Sequence, residues 1–418
     1  MPNHDEPMSM EDSQRVGLLA GQAFSPSAPI THKEVFAGRT PQIHRVVDAI
    51  NQAGQSVLIY GERGVGKTSL ANVMDDFYLS ISNQRIFAPH ITCDGDDVFH
   101  SIWMKVIGEK DRKRPTASLS DQCMQEIDNV VDDAEGSLTP HCIRSLAETI
   151  TQTHLFIPII DEFDRVEDEV SIRLFTDTIK ALSDHSRSTT IILVGVGDTI
   201  DDLISEHESV ERALVQVLMP RMDANESIQI LDNSVPTTGV SFSEDARNMI
   251  VAIAQGLPHY THSLGLYAVR EAASDRCWIV DLSHVERAIE VVIENSQQSL
   301  KRAYHTATSS PRPEAIHRQV LLACTMATTD TLGYFAPSDI KDRLSRILSK
   351  EAKYGTFSSH LTDFSTEERG NILQQTGKDR RFRYRFRNPL IQPFIIMRGL
   401  KDGLIVKADI DGLFRLSG

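Results

Sequence analysis

Residues 61–68 read Gly61-Glu62-Arg63-Gly64-Val65-Gly66-Lys67-Thr68, with Ser69 next. Three glycines at this spacing let backbone N–H groups turn inward around an anion at the start of a helix. Lys67 is a cation suited to β- and γ-phosphates, and the Thr68 hydroxyl suits Mg²⁺. The pattern G-x-x-x-x-G-K-[ST] therefore predicts a cradle for ATP with Mg²⁺ as cofactors. Further along, Phe156-Ile-Pro-Ile-Ile160 ends in Asp161 and Glu162. An apolar strand ending in two acids can set the first in a metal shell and use the second to polarise a water. Asp161 is the expected Mg²⁺ partner beside Thr68, and Glu162 the expected catalytic carboxylate, with Lys67 on the phosphates. A water-directed acid points to hydrolysis, not to phosphate transfer to a second substrate. A third apolar run ends Gly195-Val-Gly-Asp198-Thr199. Asp198 or Thr199 can stand between the acids and the terminal phosphate, and a plain turn after a strand reads equally well.

These residues need a scaffold that lines them up on one edge. Ser56–Tyr60, Gln84–Thr92, Leu155–Ile160 and Thr189–Val196 read as strands. Helical periodicity falls at 41–53, 67–79, 142–151 and 171–184. Short apolar strands alternating with helices predict an α/β fold with a parallel sheet covered on both faces. Residues 110–140, polar and acid-rich, read as an exposed insertion. Beyond Pro220 the strands stop, and 223–233, 243–255, 259–274 and 283–296 read as helices. Residues 297–314 read as a Ser/Thr/Pro-rich linker. Helices near 314–327, 338–349 and 357–367 then precede a β pattern at 371–387. The expected order is a flexible leader (1–30), an ATPase domain (31–222), a helical lid (223–296), a linker (297–314), a C-terminal domain (315–400) and a tail (401–418).

The chain has 418 residues, 43 Lys+Arg and 58 Asp+Glu, a formal charge of −15. Hydrophobic content of 40% and charged content of 24% suit a globular chain, not a disordered one. No apolar run reaches the ~18 residues of a membrane helix, and Met1–Met10 lacks the pattern of a signal peptide. The five cysteines lie far apart, which excludes a disulfide framework and fits a cytoplasmic setting. The charge is divided: from Pro311 onward there are 18 basic and 12 acidic residues, +6, which leaves −21 on residues 1–310.

Together these segments resemble the AAA+ superfamily, and more narrowly the origin-recognition (replication-initiator) ATPases and the STAND P-loop ATPases. Gly61–Thr68 matches Walker A and Ile159–Glu162 matches Walker B. Phe36-Ala-Gly-Arg39 resembles the box that lies near the adenine, which implies Arg39 in the nucleotide site. Gly256-Leu-Pro258 resembles the sensor-2 region at the start of a lid helix, which adds Pro258. Ser209–Pro220 resembles the segment that carries the arginine finger. Arg212 is its expected finger and Arg221 the alternative; a surface Arg paired with Glu208 or Glu211 is the structural alternative. The chain departs from the pattern at sensor 1, where Asp198 replaces a neutral polar group; a carboxylate there needs Mg²⁺ or an Arg to offset it. It also places His259, Tyr260, Thr261 and His262 where initiators carry a sensor-2 Arg, closer to the STAND pattern. The resemblance implies an ATPase that is slow, or stimulated by ATP-dependent self-association or by a partner.

The C-terminal domain resembles a winged helix, with the recognition helix at Thr356–Glu367. Phe382, Tyr384 and Phe386 alternate with Arg381, Arg383, Arg385 and Arg387, so one strand face is aromatic and the other cationic. The arginine face suits double-stranded DNA. Its alternative is an acidic surface of this protein or of a protein partner, as in a STAND-like signalling or defence ATPase.

Overall fold

The computed structural model describes residues 6–30, 36–81, 84–109, 119–134, 136–185, 188–197, 210, 212–312, 314–330, 332–378 and 381–410. The chain forms two compact units. One holds Pro29–Glu62 and Gly66–Pro220; the other holds Met1–Ala28, Arg63–Val65 and Arg221–Gly418. Helix α1 (Met10–Ala23) therefore opens the chain but belongs to the second unit.

The first unit runs α2 (Thr40–Asn51), β1 (Ser56–Gly61), α3 (Lys67–Ile81), β2 (Ile86–Phe87), β3 (His90–Thr92), α4 (Phe99–Gly108) and α5 (Asp121–Asp133). It continues with α6 (Pro140–Ile150), β4 (Leu155–Phe156), β5 (Ile159–Asp161), α7 (Glu169–His185), β6 (Ile192–Val196) and β7 (Leu214–Leu218). Five strands form one sheet in the order β3-β5-β6-β1-β7, all parallel. Two-residue strands β2 and β4 pair beside it. Val57, Leu58 and Ile59 of β1 have no exposure at all. A strand covered on both faces carries an unbroken apolar run, which is why β1, β5 and β6 were visible as such. Phe99, Trp103, Phe163 and Phe175 form the aromatic centre of the core, with ring centroids 5.1–6.2 Å apart.

Two expectations are corrected here. Residues 110–140 are not simply an exposed insertion. Ser120 caps α5, and Cys123 and Ile127, one turn apart, are buried in the core with Leu119 and Leu138. Only residues 110–118 and 135 of that span lie outside the described residues. Second, β7 is a strand where only a pre-lid segment was expected. It closes the sheet beside β1, with Ser56 opposite Leu214.

The second unit contains α8 (Ala224–Thr238), β8 (Ser241–Phe242), α9 (Glu244–Ala254), α10 (Pro258–Ser274), β9 (Ile279–Val280), α11 (Leu282–Asn295) and α12 (Gln298–Thr308). A capping box holds the start of α8: Asp223 Oδ1 accepts from Glu226 N, and Glu226 Oε2 from Asp223 N. Then come α13 (His317–Thr325), α14 (Pro337–Leu348), α15 (Tyr354–Asp363), β10 (Leu373–Thr376), β11 (Arg383–Phe386), α16 (Ile391–Lys401) and α17 (Lys407–Ile410). Strands β10 and β11 form an antiparallel hairpin, and Phe335 bridges antiparallel to Tyr384.

Three boundaries move. The leader is ordered from residue 6 on: α1 packs on α8 and α10, Val16, Ala20, Ala23 and Phe24 are buried, and Ser13 Oγ donates to Ala273 O at 2.6 Å. The linker is mostly α12, whose Leu300, Tyr304 and Ala307 are buried at helical spacing. The tail is anchored as far as Ile410: Ile405 and Ile410 are buried, and Lys407 pairs with Asp245 at 2.8 Å.

Candidate active site

Strands β1 and β5 deliver the chemistry at the same, C-terminal edge of the sheet. Gly61 ends β1 with φ +145°, and a Cβ there would sit 2.5 Å from Met219 O. Gly64 and Gly66 follow at φ +88° and +95°. These conformations strain any side chain, so the glycines of the loop answer to geometry. Lys67 opens α3, is buried, and donates through Nζ to Gly61 O (3.0 Å) and Glu62 O (2.8 Å). Ser69 Oγ accepts from Ile30 N at 3.1 Å, and Asn72 donates to Ile30 O at 3.3 Å. Ser69 thus holds the chain leading to Phe36-Ala-Gly-Arg39 against α3. There Phe36 meets Phe77 of α3 edge-on at 6.3 Å. Gly38 and Arg39 are both left-handed, and the Arg39 side chain is 1% exposed.

Asp161 ends β5 and is 3% exposed. Burial alone raises its carboxyl. Polar contacts with His90 and the Thr68 hydroxyl and the hydrogen bond from Glu162 N–H outweigh that and hold it below the usual carboxylate range. Glu162 N–H donates at 2.8 Å, and His90 Nε2 lies 3.6 Å from Asp161 Oδ2. The two expected Mg²⁺ partners, Thr68 and Asp161, therefore meet. His90 was not expected. It comes from β3, which pairs with β5, and only the sheet order brings it near.

Glu162 has left-handed backbone (φ +53°), which turns its side chain away from the strand's alternation. Its Oε2 lies 2.8 Å from Arg165 Nη1, an ion pair with both side chains about half exposed. Asp164, in the 3₁₀ turn Phe163–Arg165, accepts from Val196 N at 2.8 Å and so fastens the end of β6. Asp198 and Thr199 lie outside the described residues.

The family described as Novel STAND NTPase 1 matches residues 23–328. The chain belongs to this family. Among curated proteins, none matches the chain. Of solved structures, the Aeropyrum pernix ORC2 protein in ADPNP–ADP complexes is similar at a TM-score of 0.51 and 13% identity, covering 92% of this chain and 98% of its own. The Walker-type ATPase of Pyrococcus abyssi matches at a TM-score of 0.48 and 16% identity, covering 88% and 99%. The family match bears out the resemblance to the STAND P-loop ATPases, and the ORC2 likeness bears out the α/β fold shared with an origin-recognition ATPase. No helix among the described residues is long and apolar enough to cross a membrane.

The remaining expected residues of this STAND NTPase sit on other elements. Arg212 is exposed at the entry to β7, opposite the start of β1. It stands a whole strand, about 20 Å, from the Gly61 edge of its own sheet. Its carbonyl accepts from Gln55 Nε2 at 2.9 Å. Glu208 and Glu211 lie outside the described residues. Arg221 donates to the Oε1 of buried Gln392, so it is committed within its own unit. Pro258 occupies the first turn of α10. Before it, Gly256 is left-handed (φ +72°), and a Cβ there would meet Met222 O at 2.4 Å. Burial pushes the imidazole of His259 below its ordinary value and that of His262 down to about 4. Tyr384 and Phe386 are buried, while Arg383 and Arg385 point outward, as the alternation requires. Arg381 and Arg387 are exposed on either side of β11.

Proposed function

We propose that this STAND NTPase is a Mg·ATP-dependent switch: it hydrolyses ATP slowly, faster on self-assembly, and its nucleotide state controls assembly and duplex-DNA binding by a C-terminal winged helix. The observation that carries the nucleotide chemistry is the meeting of Thr68 and Asp161 beside a left-handed glycine loop. A hydroxyl and an ionised carboxylate are hard oxygen ligands of the kind Mg²⁺ takes. When bound, the ion would neutralise charge across the β- and γ-phosphates. Lys67 would exchange its carbonyl partners for phosphate oxygens. Glu162 would orient a water and accept its proton once its pair with Arg165 opens, and Arg39 and Pro258 would border the nucleotide. Arg212, too far from its own loop, would act on the site of a neighbouring copy.

The C-terminal order supports the winged helix: helix α13, the Phe335 bridge, helices α14 and α15, then the hairpin β10–β11. The cationic face of β11 supports DNA as its partner. The STAND family favours a second reading, in which this domain docks on a protein partner.

The test is ATP turnover by the wild type, Lys67→Ala and Glu162→Gln, with and without duplex DNA. Lys67→Ala should lose ATP binding. Glu162→Gln should keep binding and lose at least about 100-fold in turnover, the scale of a general base. Wild-type turnover should rise with DNA. A wild type that neither binds nor turns over ATP overturns the switch. Turnover and ATP-dependent assembly indifferent to DNA would establish the second reading.

A further inference from the structure

The wing arginines are largely engaged by their own chain. Arg383 pairs with Asp330 at 2.9 Å and donates to Tyr334 O. Arg385 lies over the Tyr334 ring at 4.7 Å and donates to Gln374 Oε1 at 2.9 Å. Arg387 donates to Asn371 Oδ1 at 3.0 Å. A different surface of the same domain has uncommitted charge. Residues 341–353, which end α14 and lead into α15, hold Lys341, Arg343, Arg346, Lys350 and Lys353 against Asp342 and Glu351. Lys341 faces Glu351 at 3.9 Å. Among the described residues, Arg343, Arg346, Lys350 and Lys353 meet no carboxylate within 4.0 Å and make no side-chain hydrogen bond to another residue. Arg346, Lys350 and Lys353 are exposed, and Arg343 is partly so.

Geometry gathers these four. Arg343 and Arg346 are three apart on α14, so they share a face. Ser349 ends that helix in a left-handed turn (φ +51°), Lys350 follows, and Lys353 precedes the first residue of α15. Arg343 to the end of α14 at Leu348 spans about 7.5 Å by helical rise, the run of about two phosphates on one strand, and Lys350 lies just beyond. Tyr354, the first residue of α15, is 60% exposed and rests edge-on against Phe357. Base-reading capacity on α15 is poor. His360 is turned inward against His317 at 4.7 Å, and Ser359 and Thr362 are the exposed short polar side chains left.

We infer that the α14–α15 turn, more than the wing, is the surface on which this domain grips duplex DNA. Arg343, Arg346, Lys350 and Lys353 contact phosphates there with little preference for base sequence. The inference rests on the DNA-binding reading above and places its main contact.

The test measures binding of full-length protein with Mg·ATP to two duplexes of unrelated sequence across a salt titration. The variant Arg343→Ala/Arg346→Ala/Lys350→Ala/Lys353→Ala should lose at least about tenfold in affinity and flatten the log–log salt slope by about 3.6. Arg381→Ala/Arg387→Ala should lose less, and both duplexes should bind alike. Wild-type binding with the quadruple variant unchanged in affinity and slope overturns the surface and leaves DNA binding standing. Wild-type preference above about tenfold for one duplex overturns the sequence indifference. No wild-type binding at low salt overturns the DNA reading and this surface with it. Should the quadruple variant fail to fold, Arg346→Glu/Lys350→Glu, confined to exposed side chains, reads the same loss.

Discussion

At the scale of residues, Asp161 is where charge, burial and hydrogen bonding compete. Its partners hold the carboxyl below the usual range, whose reference value is 3.8. A carboxyl depressed on folding adds stability that is fully present above its unfolded value and is lost as pH falls through the folded one. Asp161→Asn should therefore lower the melting temperature near neutral pH, and the deficit should shrink below about pH 4, where the wild type loses the same contribution. Thermal melts from neutral to acid pH check this; a deficit that does not change with pH would mean the loss is one of packing. The sequence announced Asp161, Thr68 and Lys67 because their motifs are contiguous. It could not announce His90, which is 71 positions from Asp161 in the chain and reaches it only through the pairing of His90 with Ile159. Arg165 was similarly silent, since an Arg three residues after a Glu is commonplace on any surface.

At the scale of elements, strands that were continuous apolar runs were legible and elements built of small or polar residues were not. Helix α1 buries Val16, Ala20 and Ala23, a stripe too poor in large side chains to stand out in MEDSQRVGLLAGQA. Helix α5 buries only Cys123 and Ile127 along its length. Strand β7 interrupts its apolar run with Gln216. The importance of α1 can be tested by two substitutions two residues apart, on different faces of the helix. Ala20, with no exposure, lies against its neighbours, and Ala20→Leu should destabilise by about 1–3 kcal/mol through overpacking. Leu18 is 77% exposed, and Leu18→Gln should change stability by less than about 0.5 kcal/mol. Denaturant midpoints distinguish them. Equal effects would show that α1 does not dock as a unit.

At the scale of the whole molecule, the proposal that Arg212, remote from its own phosphate loop, is a finger in trans predicts complementation between copies. Arg212→Ala and Glu162→Gln should each turn over ATP poorly alone. Mixed together, they form some interfaces in which an intact Arg212 faces an intact Glu162, and turnover should recover to a measurable fraction of wild type. No recovery across a range of mixing ratios would remove Arg212 as a finger in trans. The uneven charge belongs to this scale too. With −21 on residues 1–310, nonspecific adhesion of the whole chain to nucleic acid is disfavoured. Only a local concentration of cations, such as that at the α14–α15 turn, can overcome it.

The docking of α1 also sets a timetable for synthesis. Ser13 finds its acceptor 260 positions later, at Ala273. A ribosome adding about 5–20 residues per second needs about 13–50 s to cover that distance. Until α8 (Ala224–Thr238) is made, which takes most of that interval, the buried stripe of α1, and Phe24 after it, lacks the helices that cover it. Helix α1 is thus a waiting hydrophobic segment, and the helical unit closes over a piece made long before its partners.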